Sequence, residues 1–368
     1  MTANLPTMPV WDLKFTKNPH DLVLATHGRG FWIFDNIQPL EQWSHKVSKS
    51  DFHLFAASGG TEWQKYFGRH IGPTPSDFVA PNPPSGPVIS YYLKSALGGG
   101  KSQSHKPVTI KVSDSDGNHV ATFHGPGKAG VNRIAWNMRY DGAQLPKFLK
   151  GNSFFGGGSG PSGPIALPGT YEVTVTAGKH TEKEKVQVRS DPRKDTPTDV
   201  QKKALKAGLQ LRGDTNAAVT MLERTRNMLK ILGNVLDSTS GADKGSDKAA
   251  AHAAAKSLKK RLGGFVMHLY NPKVQYSVPE DGLHHISRFG HELLSAYRQM
   301  GHMGPAQAPN AEQMGYVKKL QGELTRYLAQ FNGKLHDAVV AYNKKAYKAG
   351  VQTLPVGKPV TTESSSMH

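Results

Sequence analysis

Between Ser190 and Arg193 the periodicity of the chain changes, and this change limits the possible folds more than any single motif. Before it, apolar residues alternate with polar ones. Val108 to Val112 reads VTIKV, and Val120 to Phe123 follows an Asp116-Gly117 turn. Val131 to Arg139 puts Ile134, Trp136 and Met138 on one face. Tyr171, Val173 and Val175 alternate up to Gly178, and Val186 and Val188 close the set. A period of two places every second side chain on one face of a strand, and Asp-Gly between alternating runs is a hairpin signal. Short strands with turns and no intervening helix predict an antiparallel β-sandwich over residues 88–193, opening with Val88 to Leu93. Val173 and Val175 with Tyr171 are expected to share one core with Ile134, Trp136 and Met138.

Past the boundary the spacing is helical. Leu205, Leu209, Val219, Leu222, Leu229, Leu232 and Leu236 keep it except for a polar gap around Arg212 to Asn216. An Ala-rich helix is expected from an N-cap at Ser246 toward Leu262. Ile286, Phe289, Leu293, Tyr297 and Met300 step by three and four, as do Val317, Leu320, Leu324, Tyr327, Phe331, Leu335 and Tyr342. Apolar stripes on separate long segments predict a helical bundle over residues 194–350. Residues 351–368 are polar and read as a disordered tail.

The N-terminal region carries one more element. Leu22 to Ala25 and Phe31 to Phe34 are apolar runs around a Gly-containing turn, the pattern of a hairpin within residues 1–50. Alone, such a hairpin is marginally stable, so its aromatic residues Phe31, Trp32 and Phe34 are expected either to stay partly exposed or to be covered by residues 38–80. Residues 51–87 read as a Gly/Pro-rich connector ending in Ala80-Pro81-Asn82-Pro83-Pro84-Ser85-Gly86-Pro87. Gly151 to Gly163 is too glycine-rich to form an element.

The 368 residues carry 46 basic and 28 acidic side chains, a net charge of +18, of which +11 falls in residues 191–368. The excess is therefore spread along the chain. It favours loose association with polyanions, but no basic-aromatic module for specific nucleic-acid recognition is present. The absence of cysteine excludes disulfides, thiolate ligands and a cysteine nucleophile. No apolar run reaches the roughly 18 residues of a membrane span, and the first 15 residues lack the basic and apolar regions of a signal peptide.

Several local patterns suggest chemistry. His27 and Arg29 sit in the hairpin turn as candidate ligand contacts for an anion or a sugar. The two glycines also explain the turn with no ligand, Arg29 then bracing neighbouring carbonyls or carboxylates. Gly98 to Ser102 looks like the end of a phosphate loop, but Ser95 stands where the first glycine belongs and a strand follows instead of a helix. His284, His285 and His291 suggest a metal. On a helix, however, His284 and His291 are about 10 Å apart along the axis, and Arg288 occupies the position that would converge with His284. Glycoside hydrolysis needs two carboxylates ~5–9.5 Å apart across one sugar. Glu182 and Glu184 share a strand face among lysines, Asp114 and Asp116 belong to a turn, and no G-x-S-x-G elbow exists.

Taken together, His27-Gly28-Arg29-Gly30 with Trp32 and Asp35, Asn82-Pro83-Pro84 before Tyr91-Tyr92-Leu93, Asn132 to Arg139, Leu167-Pro168-Gly169-Thr170-Tyr171 and Asp191-Pro192-Arg193 run in a characteristic order. In that order the chain resembles the C-terminal part of large bacterial proteins with sortilin-like or BNR-type repeats, commonly labelled glycosyl hydrolases. The resemblance implies an upstream β-propeller whose last blade is represented by residues 1–50, and export to a periplasmic or secreted location. The fold class expected is thus a multidomain β-plus-α chain: a remnant propeller hairpin, an immunoglobulin-like sandwich and a C-terminal helical bundle. The expected role is that of a non-catalytic accessory region for docking, assembly or surface attachment. One alternative is part of a glycoside hydrolase whose active site lies in the propeller, and another is a polyanion-binding protein. The expected partners are the propeller part or another protein, and a glycan or other polyanion. No cofactor, metal, specific nucleic acid or transmembrane segment is expected.

Overall fold

The alternating runs form strands and the runs of three-and-four spacing form helices. The result is a mixed α/β chain with three sheets and a C-terminal helical region among the described residues. A computed structural model describes residues 7–16, 20–63, 86–97, 107–149, 161–195, 197–271, 274, 286–302, 307 and 309–362. The chain divides into two compact units, residues 1–141 with 165–197, and residues 142–164 with 198–368.

The first unit begins with β1 (Val10–Phe15), β2 (Leu22–Thr26) and β3 (Phe31–Phe34), an antiparallel sheet in that order. Two short helices follow, α1 (Gln38–Glu41) and α2 (His45–Lys49), the latter capped by Ser44, whose side chain accepts from the Val47 amide. Strands β4 (Phe52–Leu54), β6 (Val88–Leu93) and β9 (Gly130–Ala135) form a second sheet. A five-stranded sheet runs in the order β5 (Gly60–Glu62), β11 (His180–Ser190), β10 (Gly169–Ala177), β7 (Val108–Ser113), β8 (His119–Gly125). β10 and β11 turn at Gly178, whose φ of +61° suits glycine, and they pair Tyr171 with Val186.

The core register expected for this unit holds at Trp136, which is 1% exposed, and its ring meets Tyr171 edge-on at 5.1 Å. Ile134 is only partly buried. β9 ends at Ala135, and Met138 then turns the chain with a φ of +55°. Three strands were not legible in the sequence. β1 pairs along β2 and converts the hairpin into a three-stranded sheet. β4 and β5 arise from the supposed connector, where Phe52, Leu54 and Phe55 are buried and Gly60 lies so close to Pro87 that a Cβ would approach its ring to 2.4 Å. The Asn82-Pro83-Pro84 and Gly98 to Ser102 motifs lie outside the described residues.

The second unit contains α3 (Thr198–Ser238), α4 (Asp247–Leu269), α5 (Phe289–His302), α6 (Ala311–Gln330) and α7 (His336–Lys348). Ser246 caps α4 as expected, accepting from the Ala249 amide at 3.1 Å, and Asn310 with Gln313 forms a capping box on α6. Leu222, Phe289, Tyr297, Leu324 and Phe331 are buried in one core, against which Leu229 is only partly buried. Ile286 precedes α5 and is 73% exposed, so it does not belong to the seam. The polar gap in α3 is not a break. The helix continues through it because Asp214, 1% exposed, accepts from Gln210 at 2.9 Å and Gln321 at 3.3 Å.

Between α6 and α7 the chain makes a π-helical turn at Phe331–Leu335. Tyr327, Phe331, Leu335 and Val339 are spaced by four, which would drift about 40° per step around an α-helix. The wider turn absorbs that drift and keeps them toward the core.

Two segments assigned elsewhere on sequence grounds belong to this unit. Residues 142–149 bury Ala143, Leu145 and Leu149 in the helical core, with the Gln144 amide donating to Asn216 and the Lys147 amide to Glu223, both at 2.8 Å. Residues 351–362 do not behave as a disordered tail. Leu354 and Val360 are buried, and Asn343 and Asn332 each bond both the amide and the carbonyl of one of them, at 2.7–2.9 Å. The expectation failed because a segment with few apolar residues can still be ordered when its backbone groups are satisfied by side chains.

Candidate functional site

The N-terminal sheet carries both residues singled out as ligand contacts. In the β2–β3 turn Gly28 and Gly30 have φ of +74° and +67°, and the Thr26 hydroxyl donates to the Gly30 carbonyl at 2.7 Å. His27 and Arg29 are both exposed. The His27 ring stacks on Trp11 of β1 with centroids 4.9 Å apart, and its amide donates to Pro9 at 3.1 Å. Arg29 has no hydrogen bond or ion pair among the described residues, so the bracing expected of it falls to Thr26. The arrangement brings Trp11, which sequence reasoning did not single out, beside His27.

The pairing places apolar residues on both faces of this sheet. On one face Leu24 lies between Leu13 of β1 and Trp32 of β3, while Leu22 lies between Phe15 and Phe34. Leu22 and Leu24 are buried with Ile37, but Leu13 and Phe15 remain exposed. On the other face Phe31 and Ile33 are 76% and 60% exposed. β1 and β3 pair with no further strand among the described residues. The sheet is held at one end by Arg133 of β9, which donates to the carbonyls of Asp35 and Asn36 at 2.9 and 2.8 Å and lies over Phe34. One residue of the Asn132 to Arg139 motif thus has a definite structural task.

Two of the carboxylates considered for glycoside chemistry, Glu182 and Asp114, have structural partners. Glu182 accepts from the Leu54 amide at 2.8 Å, tying β4 to β11. Asp114 accepts from the amides of Asp116 and Asn118 within its turn. Asp191 forms a two-pronged pair with Arg193, which in turn lies over Trp63, so this motif pins the chain after β11. Of the histidines weighed as metal ligands and set aside, His284 and His285 lie outside the described residues. His291 is 2% exposed, its Nδ1 accepts from the Arg288 amide at 3.3 Å, and burial draws its pKa down to about 4. It is a neutral core histidine packed on Tyr270. Among the described residues no group of three or more His, Asp or Glu side chains could hold a metal ion, and no helix is long and apolar enough to cross a membrane.

Sequence reasoning missed Glu62 on β5. Its residue is 4% exposed, and neither carboxylate oxygen has a hydrogen-bond partner among the described residues. Burial pushes its pKa up to about 8, with the charge of Arg139 opposing the shift. Only burial reveals such a group, since a lone Glu in a Gly-rich stretch carries no pattern. The raised pKa means that the folded chain keeps this proton after the unfolded chain has lost it. Stability from this group is therefore full below about pH 4.5 and falls as the pH rises toward 8. Glu62→Gln removes the charge and keeps the shape. It is expected to leave stability unchanged near pH 4 and to raise it by about 1–3 kcal/mol near pH 8. Urea unfolding at both pH values checks this, and an equal effect at the two would rule out ionisation as the cause. Neither a family model nor a curated protein matches this chain.

Proposed function

We propose that this chain is a non-catalytic accessory region of a protein of the sortilin-like, BNR-repeat class, and that it serves docking or assembly. On this reading it is a multidomain chain. β1–β3 is the last blade of a propeller, β4–β11 an immunoglobulin-like sandwich, and the C-terminal helices a bundle. The ring contact between Trp136 and Tyr171 and the Glu182 bond to β4 support a sandwich, because each links the smaller sheet of that region to the larger.

The observation that carries the docking reading is the N-terminal sheet. Trp11, Leu13, Phe15, Phe31 and Ile33 are all more than half exposed, on a sheet whose outer strands have free edges among the described residues. Exposed apolar patches of this kind, Leu13 and Phe15 on one face and Phe31 and Ile33 on the other, mark interaction sites, and free edges accept further strands. A β-rich partner fits both features, and the resemblance makes propeller blades that partner. His27 and Arg29 remain candidate contacts for an anion or sugar at the same end of the sheet.

Light scattering tests the reading. The chain is expected to self-associate through this sheet. Deletion of residues 1–36, or Phe31→Ser combined with Ile33→Thr, should make it monodisperse. A clean monomer in all three forms would overturn the docking role. Glycan hydrolysis by the chain alone would instead favour the glycoside hydrolase alternative.

A further inference from the structure

The helical unit holds a groove of about 810 Å³ between the C-terminal half of α4 and the C-terminal end of α6 with its π-helical turn. Lys260, Arg261 and His268 line one wall, and Arg326 and Lys334 the other, with Glu323 the single acid. All five basic residues are exposed, and four of them, Lys260, Arg261, Arg326 and Lys334, are cations at neutral pH, while the His268 ring is bonded to the Gly264 carbonyl at 2.7 Å. Lys260, Arg326 and Lys334 form no ion pair among the described residues. Scattered surface cations relax their repulsion by spreading into water, but here they converge on one concavity. A concave, predominantly positive surface with a low-dielectric wall focuses the potential and attracts anions.

The groove is also built rather than incidental. Phe265 forms a rigid apolar wall, packed edge-on against Tyr327 at 5.9 Å and against Phe331 at 5.8 Å. At Gly264 a Cβ would meet nothing within 4 Å, so the backbone there opens onto free space. The π-helical turn carries Lys334 on this wall, and Arg261 reaches across to donate to the Lys334 carbonyl at 3.2 Å. Single π-helical turns within α-helices are frequent at functional sites.

We propose that this groove binds a chain of phosphate groups, taking more than one tetrahedral oxyanion at once. Its volume lies in the upper part of the roughly 300–1,000 Å³ typical of ligand sites, more than one oxyanion needs. The guanidinium of Arg326 offers a planar fork that fits phosphate oxygens, while Lys260 and Lys334 supply compact point charges on either side. Glu323 repels an anion at its own position, so a bound ligand must place its charges against Lys260, Arg326 and Lys334. The site lies wholly on the helical unit and does not depend on the docking role of the N-terminal sheet.

Titration calorimetry of the full chain with inorganic tripolyphosphate and with orthophosphate tests this. At low salt tripolyphosphate is expected to bind at least ten times more tightly than orthophosphate, and to weaken steeply as salt is raised. Arg326→Glu with Lys334→Glu should lower tripolyphosphate affinity at least tenfold, with the helical circular dichroism unchanged. Lys260→Gln, a milder exposed change, should lower it severalfold. Lys111→Glu with Lys185→Glu alters net charge equally in the other unit and should leave affinity within twofold. Equal losses in the two double variants would mean that net charge alone attracts the anion, and would overturn the site. So would equal affinity for the two phosphates.

Discussion

Replacing Leu324 with Ala is expected to destabilise the helical unit by about 2–5 kcal/mol. Leu324 is 2% exposed on α6 and belongs to the core built from all five long helices. Truncation to Ala removes the transfer free energy of the lost carbons and leaves a cavity that neighbours on several helices can only partly fill. The chain has two compact units, which can unfold in separate transitions, so the helical far-ultraviolet signal should be followed in urea. An unchanged slope with a lower midpoint would identify a loss of stability rather than a change in compactness. A shift under about 0.5 kcal/mol, the size of an ordinary surface change, would show that α6 does not present this face to the core.

Leu354→Ala is expected to cost roughly 2–4 kcal/mol, although it lies in a stretch whose composition reads as a tail. Leu354 is 3% exposed, and Asn343 holds its amide and carbonyl. Arg224 donates to the Lys358 carbonyl, and Tyr342 to that of Gln352, further along the same segment. Val356, 50% exposed in the same segment, provides the control. Its change to Ala should stay within about 0.5 kcal/mol. If the two substitutions behave alike, and neither shifts the midpoint, residues 351–362 are not held against the helices.

The helices illustrate how far the sequence could be read. The steps of three and four from Val317 to Tyr342 foretold a continuous core-facing stripe, and Ser246 foretold a helix start. What the spacing could not show was the π-helical turn at Phe331–Leu335, visible only as a run of fours, or the use made of the polar residues near Asp214. They look like an interruption, but Gln321 of α6 meets Asp214 there. A polar residue in a helical pattern reads as solvent-facing until its partner from another helix is known.

The candidate site divides in the same way. His27 and Arg29 were legible because glycines at 28 and 30 mark a turn, and the exposed aromatic strand after them was legible as well. Trp11, Glu62 and the basic groove were not. Trp11 became part of the site only when β1 paired with β2. Glu62 acquired its raised pKa only through burial, and the groove cations lie in two segments some sixty residues apart.

The sequence by itself determined the order of strand and helix regions, the boundary near Asp191, most of the core-facing positions and the overall positive charge. These follow from side-chain periodicity, turn residues and composition, which act over a few neighbouring positions. Tertiary structure alone decided that residues 142–149 and 351–362 pack on the helices, that the hairpin is a three-stranded sheet, and which charges meet in one groove. Those outcomes depend on contacts between residues far apart in the chain, where burial and backbone hydrogen bonding outweigh local preference.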